Sequence, residues 1–226
     1  GPLNASDKAL EFARKARELA PNDPKIVGIL GSAAYQTGNF KWAYNLLQES
    51  ARQLPNDPEV LHDFAWAAYS LGKVSEAGQT MQRVLSTTAP NSSQSSDAKL
   101  FLEMTALDEK GTGFLAAQSE IEKALGANPN YVPALMAKAG MLHKRGESKV
   151  AAATYSEVLR RFPDFAPAQK HLASLYLKAP DKRGEAYELA AKARRSLPDD
   201  PELAQILAEL SYERQEFAYA AQLLRQ

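Results

Sequence analysis

The residues best suited to chemistry in this chain are its three histidines, His62, His143 and His171. Imidazole binds metals and carries protons near neutral pH. No two of the histidines have the H-x-x-x-H spacing that places two metal ligands on one helix face. The chain has no cysteine, which excludes disulfides, thiol catalysis and cysteine-bound zinc. The sequence therefore predicts no metal site and no cofactor, and each histidine is interpreted as a polar surface residue.

The sequence also lacks the loops that bind phosphate or carry a nucleophile. There is no G-x-S-x-G motif, and the GTG at 111–113 is interpreted as a turn between helices because no predicted strand precedes it. The many Asp and Glu residues fall at helix starts and on exposed faces, where capping and solvation explain them better than acid–base catalysis. We therefore expect a protein that is not an enzyme.

Charge and hydropathy limit the classes of partner that we expect. The 27 Lys and Arg residues balance 27 Asp and Glu residues, so no net field attracts nucleic acid, and none is expected as a partner. No apolar run approaches the roughly 20 residues that span a bilayer, and no signal peptide opens the chain. We expect a soluble fragment without direct membrane insertion, and its localisation stays unknown, because cytoplasmic and periplasmic locations are both compatible with these features.

A heptapeptide that recurs along the chain sets the positions of the structural elements. LPNDPEV occupies 54–60, and related segments occur at 20–26 and 197–203. In each, an Asp suited to cap a helix precedes a Pro suited to its first turn, while an earlier Pro ends the preceding helix. The spacing from Pro21 to Pro55 is 34 residues. One heptapeptide therefore predicts the end of one helix and the start of the next.

A second pattern lies between these prolines. A glycine is followed five residues later by an alanine, as in Gly38 and Ala43, and apolar residues recur at helical spacing on both sides of the glycine. The same arrangement includes Ala77 and Ala151, and all three alanines are expected where helices touch. Each unit is therefore predicted to be a pair of helices, and we expect no strand.

These residues resemble the tetratricopeptide repeat, a helix-turn-helix unit of 34 residues. The pattern of small residues, glycine, alanine and proline matches Gly31, Gly38, Ala43, Leu47 and Pro55 in the first full unit. The resemblance implies an all-α fold, a right-handed α-solenoid of about six units preceded by an orphan N-terminal helix. It also implies that the first helices line a concave wall.

The expected organisation is a single solenoid over 1–226. Its parts are a tag remnant and linker at 1–4, a partial repeat at 5–21, repeats 1 and 2 at 22–92, a Ser-rich insertion loop at 86–97, an irregular repeat 3 at 97–130, repeats 4 and 5 at 131–200, and a truncated repeat 6 at 201–226. The third repeat is expected to begin with a cap at Ser96 or Asp97. In the last repeat Gln215 replaces the turn glycine. Terminal repeats without a polar cap favour weak self-association.

Residues on the concave face that the motif leaves free are the candidates for binding a partner. Aromatic residues with polar tips cluster in the first two units and favour protein contacts; the cluster comprises Tyr35, His62, Trp66 and Tyr69. Farther along, Lys144, Lys170 and Lys178 are suited to an acidic segment or a carboxylate. Two structural interpretations stay open, in which Trp66 fills space between helices and the lysines are ordinary solvated residues.

The leading hypothesis is a non-catalytic interaction scaffold that binds a peptide or partner segment on its concave face. A second hypothesis is a structural spacer or self-assembly module of a larger bacterial envelope or secretion protein. A third is the recruiting arm of a multidomain enzyme. The chaperone-binding carboxylate clamp of some relatives is not predicted, because Ser32, Trp66 and Ser174 stand where its asparagines would be expected.

Overall fold

The computed structural model describes residues 5–110 and 114–225, and within these ranges the chain forms helices and no strand. In order, the α-helices are α1 (Ala5–Leu19), α2 (Pro24–Gln36), α3 (Phe40–Gln53), α4 (Pro58–Ser70), α5 (Val74–Thr87), α6 (Ser93–Lys110), α7 (Phe114–Ala127), α8 (Val132–Lys144), α9 (Ser148–Arg161), α10 (Ala166–Leu177), α11 (Arg183–Arg194), α12 (Pro201–Glu213) and α13 (Phe217–Leu223). A 3-10 turn at Pro180–Lys182 precedes α11. The predicted all-α solenoid is confirmed. The expected tag remnant at 1–4, the GTG turn at 111–113 and Gln226 lie outside the described residues.

The recurring heptapeptides begin helices as predicted. Asp57 Oδ1 accepts the main-chain N–H of Glu59 at 3.1 Å and that of Val60 at 3.2 Å. Asp23 and Asp200 cap α2 and α12 in the same way. These bonds satisfy N–H groups that have no partner within the helix, and Pro58 occupies a position where no N–H is needed.

The turns inside the helix pairs need a left-handed backbone. Gly38, Gly72 and Gly146 have φ of 81°, 80° and 80°, a conformation that costs glycine nothing. Gln215 occupies the equivalent turn before α13 with φ of 65°. It makes the same bonds, since its N–H donates to Tyr212 O at 3.0 Å. The turn therefore keeps its geometry with a side chain present.

The alanines of the motif lie where helices touch. Ala43, Ala77 and Ala151 are 0% exposed, as the register predicted. Gly31 has the same role on α2, since a Cβ there would lie 2.6 Å from the Leu47 side chain. Small residues at these positions let the two helices of a pair approach closely, so larger side chains would overpack them.

Helix α6 begins earlier than predicted. The Ser-rich stretch was expected to be a loop to residue 97, but α5 ends at Thr87 and α6 begins at Ser93. Ser92 Oγ accepts the N–H of Ser95 at 3.1 Å, which supplies the first-turn partner that was assigned to Ser96 or Asp97. Asp97 therefore lies inside α6, where its carboxylate meets a neighbouring helix.

The chain divides into two compact units, Gly1–Ala106 and Leu107–Gln226, called unit 1 and unit 2 below. In unit 1, buried Ala13, Leu30 and Ala33 join α1 to α2. In unit 2, a core drawn from α10, α11 and α12 includes Ala190 and Leu207. A single domain over 1–226 stays a prediction. In the described parts of both units, none of the helices combines the length and apolar character needed to cross a membrane.

Candidate functional site

The aromatic residues predicted to bind a partner lie on two first helices of unit 1, α2 and α4. Helix α4 is joined to α2 and to α6 by side-chain hydrogen bonds. Tyr35 OH and Ser70 Oγ lie 3.2 Å apart and link α2 to α4, while His62 and Asp97 link α4 to α6. The three first helices of unit 1 therefore carry one connected set of side chains.

His62 lies between two carboxylates. Its Nε2 is 2.8 Å from Asp97 Oδ2, and its Nδ1 is 3.4 Å from Asp63 Oδ1. Burial of the ring lowers the pKa of His62, but the hydrogen bonds and charges of Asp63 and Asp97 outweigh it and raise the pKa to about 9. At neutral pH the ring therefore carries a proton on each nitrogen, and both N–H groups are used within the protein.

Trp66 is held in place by the same carboxylate. Its Nε1 donates to Asp97 Oδ2 at 3.2 Å and lies 3.3 Å from His62 Nε2. The indole packs edge-to-face against Phe101, with 5.3 Å between ring centroids, and against Tyr69 at 6.2 Å. Trp66 remains partly exposed, so it offers ring surface while its N–H is occupied.

The two tyrosines of the cluster differ in exposure, since Tyr69 is buried and Tyr35 is partly exposed. Tyr69 is 2% exposed and packs edge-to-face on Phe101 at 5.0 Å, which places it beneath Trp66. Burial raises the pKa of Tyr35 to about 12, against the opposing effect of its hydrogen bond with Ser70. Of the four predicted aromatic contact residues, Trp66, His62 and Tyr35 are therefore partly exposed, and the buried Tyr69 supports Trp66.

Asp63 extends the polar cluster to α2. Its Oδ2 accepts a hydrogen bond from Ser32 Oγ, and Ser32 also reaches Gly28 O at 3.1 Å. We call the connected residues the polar chain; it comprises Ser32, Asp63, His62, Asp97 and Trp66. Every donor in this chain is directed at a carboxylate or main-chain acceptor of the protein itself.

A groove of about 300 Å³ lies beside the polar chain, between α2 and the first half of α4, with Ala9 of α1 also in its lining. Its apolar lining includes Ala33, Val60 and Ile29, and Ile29 is 59% exposed. The charged lining residues are Lys25, Asp57, Glu59 and Asp63. The groove thus combines an apolar surface with an excess of carboxylates.

The lysines predicted as a second cluster all lie in unit 2. Lys170 on α10 is paired, with its Nζ 2.6 Å from Asp200 Oδ2 and 3.1 Å from Glu202 Oε2. Burial lowers the pKa of Lys170, but these two carboxylates outweigh it and raise the pKa. Lys144 at the end of α8 and Lys178 after α10 are exposed. The charge of Lys170 is therefore already balanced by α12 and its cap.

Unit 2 also contains a groove, but the predicted lysines do not line it. It has a volume of about 520 Å³ and lies between α9, α10 and α11, with Leu159, Tyr176 and Leu189 among its apolar lining residues. Arg160, Glu188 and Lys192 are among its charged lining residues. Both signs of charge occur around it, so it favours no simple class of ligand.

Sequence reasoning missed the carboxylates of the polar chain. Asp97 was interpreted as a helix cap, and Asp63 was taken as one of many solvated acids. A signal was present, because Tyr35 and Ser70, like His62 and Asp97, are 35 residues apart, which is one repeat. Complementary residues separated by one repeat length can meet across adjacent first helices.

Among the described residues, no group of three or more His, Asp and Glu side chains is arranged to hold a metal ion. His62 is surrounded by carboxylates, but its two nitrogens are both engaged by them. The arrangement is suited to fixing a protein surface, because it orients side chains and leaves carboxylate oxygens toward solvent.

Comparisons with known proteins identify the repeat. Two tetratricopeptide repeat models match the chain, one over residues 34–99 and the other over 109–164 and 144–201, together more than half its length. No curated protein matches it. These matches support the predicted class of function, a protein-interaction scaffold.

Similar solved structures include a tetratricopeptide repeat protein from Parabacteroides merdae, 16% identical, with 97% of this chain and 84% of that one covered and a TM-score of 0.44. YrrB, described as a TPR protein with an unusual peptide-binding site, is 17% identical over 86% of this chain and 97% of that one, with a TM-score of 0.41. A monomeric IFIT1 mutant is 16% identical, with 97% of this chain and 54% of that one covered and a TM-score of 0.50. This chain therefore spans about half the length of the IFIT1 chain. At such identities the likeness concerns the fold. From its repeat spacing, its paired helices and the two matching models, the chain belongs to the tetratricopeptide repeat family.

Proposed function

We propose that unit 1 binds a peptide segment of a partner protein across α2, α4 and α6, with Trp66 as the central contact. The observation that carries this proposal is the state of Trp66. Its ring is partly exposed, yet its N–H is fixed by Asp97 and its edges by Tyr69 and Phe101. An aromatic side chain already held in one orientation loses little entropy when a partner covers it.

The polar chain supports the same proposal. Bonds between side chains of successive first helices make α2, α4 and α6 a prearranged surface for an extended or helical segment. Family membership adds support, because the tetratricopeptide repeat is an interaction module. The predicted lysines of unit 2 remain candidates for further contacts, with Lys144 and Lys178 more accessible than the paired Lys170.

Selection of peptides from a displayed random library tests this function. Peptides enriched on the wild-type protein should bind Trp66→Ala at least about tenfold more weakly, since a central aromatic contact is worth about 1.4 kcal/mol or more. Trp42→Phe is the matched control, because Trp42 lies on the second helix α3 beneath Arg14 and faces the α1 cluster. Helical circular dichroism of each variant confirms folding.

Equal affinity of the selected peptides for wild type and Trp66→Ala would remove Trp66 from the site. Tyr69→Ala is a poor substitute for this test, because Tyr69 is buried and its removal would leave a cavity. A selection that enriches no peptide on the wild type would contradict peptide binding itself.

A second candidate function is weak self-association. Large apolar side chains are exposed on α1, where Phe12 is 68% and Leu19 is 88% exposed, and near α13, where Leu224 is 70% exposed. Exposed apolar surface of this kind favours association. Sedimentation equilibrium should show a mass that rises with concentration, and Leu19→Glu should reduce the rise; a constant monomer mass would exclude this function.

A further inference from the structure

We infer that the segment recognised by unit 1 is basic, with an Arg or Lys side chain lying in the groove between α2 and α4. This inference rests on the proposed function and names the chemistry of its partner. The observations that carry it are the hydrogen-bonding groups left over on this face, the distribution of charge among the helices and the lining of the groove.

The donors of this face are used within the protein. Both nitrogens of His62 meet carboxylates, and Trp66 Nε1 donates to Asp97. The Ser32 hydroxyl donates to Asp63. A partner that offers carboxylates or other acceptors would find these N–H and O–H groups occupied, and it would have to break internal hydrogen bonds to reach them.

The acceptors of this face keep spare capacity. A carboxylate has two oxygens and about four lone-pair directions, and the bonds above use only part of them. The side chains of Asp63 and Asp97 are 40% and 29% exposed, and Glu59 is exposed beside the groove. The face is therefore suited to a partner that supplies hydrogen-bond donors with positive charge.

The first helices of unit 1 carry an excess of carboxylates, whereas the second helices carry both signs in similar numbers. Through residue 106, the first helices and their Asp caps carry six carboxylates against two lysines: Asp23, Asp57, Glu59, Asp63, Asp97 and Glu103 against Lys25 and Lys99. The protonated His62 is balanced by its two carboxylate neighbours. The near-zero charge of the whole chain thus conceals an acidic set of first helices.

The groove offers a place for the stem of a long cationic side chain. Ile29, Ala33 and Val60 supply apolar surface for its methylene groups, while Glu59 and Asp63 stand where its charged end would be neutralised. Its volume of about 300 Å³ is at the small end of ligand sites, which suits one side chain better than a larger ligand. An acidic segment would meet like charge here, with Lys25 as the one cation among these lining residues.

Three peptides of equal length, in which Ala alternates with Arg, Gln or Glu, test the inference by fluorescence anisotropy on the full chain. The Arg peptide should bind at least about tenfold more tightly than the Glu peptide at low salt, and the preference should shrink as salt is added. Equal binding of the two peptides, or tighter binding of the Glu peptide, would overturn the inference. Failure of the Arg peptide to bind at about 1 mM would overturn it as well.

Substitutions locate the effect. Glu59→Gln should weaken binding of the Arg peptide by about fivefold, since it removes one charge-assisted contact while leaving the polar chain intact. Lys25→Gln should strengthen binding of the Arg peptide, because it removes the cation that lines the groove. Glu188→Gln, which removes an exposed helical carboxylate from unit 2, is the control for net charge. An effect of Glu59→Gln no larger than that of Glu188→Gln would contradict a site in this groove.

The same measurements separate this inference from the proposed function. If library-selected peptides depend on Trp66 but carry no positive charge, the inference fails and the proposed function stands. If Glu59→Gln weakens binding of the Arg peptide but Trp66→Ala does not, the inferred site in the groove is supported and the central role of Trp66 is contradicted.

Discussion

In unit 1, α2 and α4 are capped by the preceding residues Asp23 and Asp57, whose carboxylates accept main-chain N–H groups. In unit 2, the residues that precede α8 and α10 at the cap position are Tyr131 and Phe165, which make no side-chain cap bond and are 6% and 2% exposed. The same point of the repeat is therefore fixed by a hydrogen bond in α2 and α4 and by burial of an aromatic ring in α8 and α10, while α12 of unit 2 keeps an Asp cap at Asp200.

This difference extends to the character of the two surfaces. An Asp cap leaves a negative charge at the start of α2 and of α4, whereas a buried ring leaves none at the start of α8 and α10. Accordingly, α8 and α10 contain lysines and histidines but no carboxylate. One repeat pattern thus supports first helices with an excess of carboxylates in unit 1 and, in unit 2, two first helices, α8 and α10, that contain no carboxylate.

The largest expected effect comes from removing an aromatic anchor of unit 2. Phe165→Ala should lower the free energy of unfolding by about 3–5 kcal/mol, because it empties a fully buried site. Urea unfolding followed by circular dichroism measures this loss. Phe217→Ala, at a position 55% exposed, should cost far less. Comparable losses for the two variants would show that Phe165 does not anchor α10.

The next effect concerns the carboxylates of unit 1 and depends on pH. Because Asp63 and Asp97 raise the pKa of His62 to about 9 in the folded state, its stabilising contribution is complete below about pH 6.5 and is lost as pH rises through 9. A tenfold change in proton affinity is worth about 1.4 kcal/mol, so the loss is on the order of 3 kcal/mol.

The difference in unfolding free energy between wild type and His62→Gln, measured from pH 6 to pH 10, isolates this contribution. Subtraction removes the contributions of the ionisable groups that both proteins share. A difference that does not change with pH would mean that the polar chain does not hold a charged imidazole.

The alanine contacts should behave alike in both units, whatever the capping chemistry. Ala77→Leu in unit 1 and Ala151→Leu in unit 2 should each cost about 1–3 kcal/mol, because both sites are completely buried between helices. Thermal and urea unfolding give the two values. A neutral Ala77→Leu would show that the assignment of the repeat register in unit 1 is wrong.

A single polar cap should matter less than a single aromatic anchor. Asp57→Ala should cost about 1 kcal/mol through the two lost N–H bonds, and Asp57→Asn, which keeps an acceptor, should cost little. If Asp57→Ala and Phe165→Ala lowered the free energy of unfolding by the same amount, the polar cap and the aromatic anchor would not differ in their contribution to stability.

The smallest expected effect is an increase in stability. Gln215→Gly should stabilise unit 2 by about 0.5 kcal/mol, since glycine adopts the left-handed turn without strain but loses more freedom on folding. Gly146→Gln should destabilise the same unit by a similar amount. A loss of stability in Gln215→Gly would mean that the Gln215 side chain makes a compensating contact.

The sequence predicted the helices wherever two signals agreed. Asp-Pro pairs and the spacing of glycine and alanine placed α2, α4 and α12 and the buried Ala43, since both signals act within a few residues. The start of α6 was wrong because a run of serines carries no apolar period, and its first-turn bond comes from the Ser92 hydroxyl.

The candidate site was harder to predict because it depends on contacts between repeats. Trp66 and His62 could be placed on the first-helix face from their position in the motif. Their neighbours Asp63 and Asp97 could not, since a polar residue on a helix surface has the same pattern whether it meets solvent or the next helix. Lys170 was judged accessible for the same reason, and Asp200 pairs with it from the following repeat.

The Asp-Pro cap has a consequence for how such a chain can change in length. The Asp57 carboxylate accepts N–H groups of its own helix, two and three residues ahead, so the residues that begin α4 lie within the segment itself. A copied segment that runs from one Asp-Pro pair to the next carries its own starting point into any new location. Duplication of a whole repeat therefore lengthens the array of helices, because the added repeat contains its own helix-capping residues.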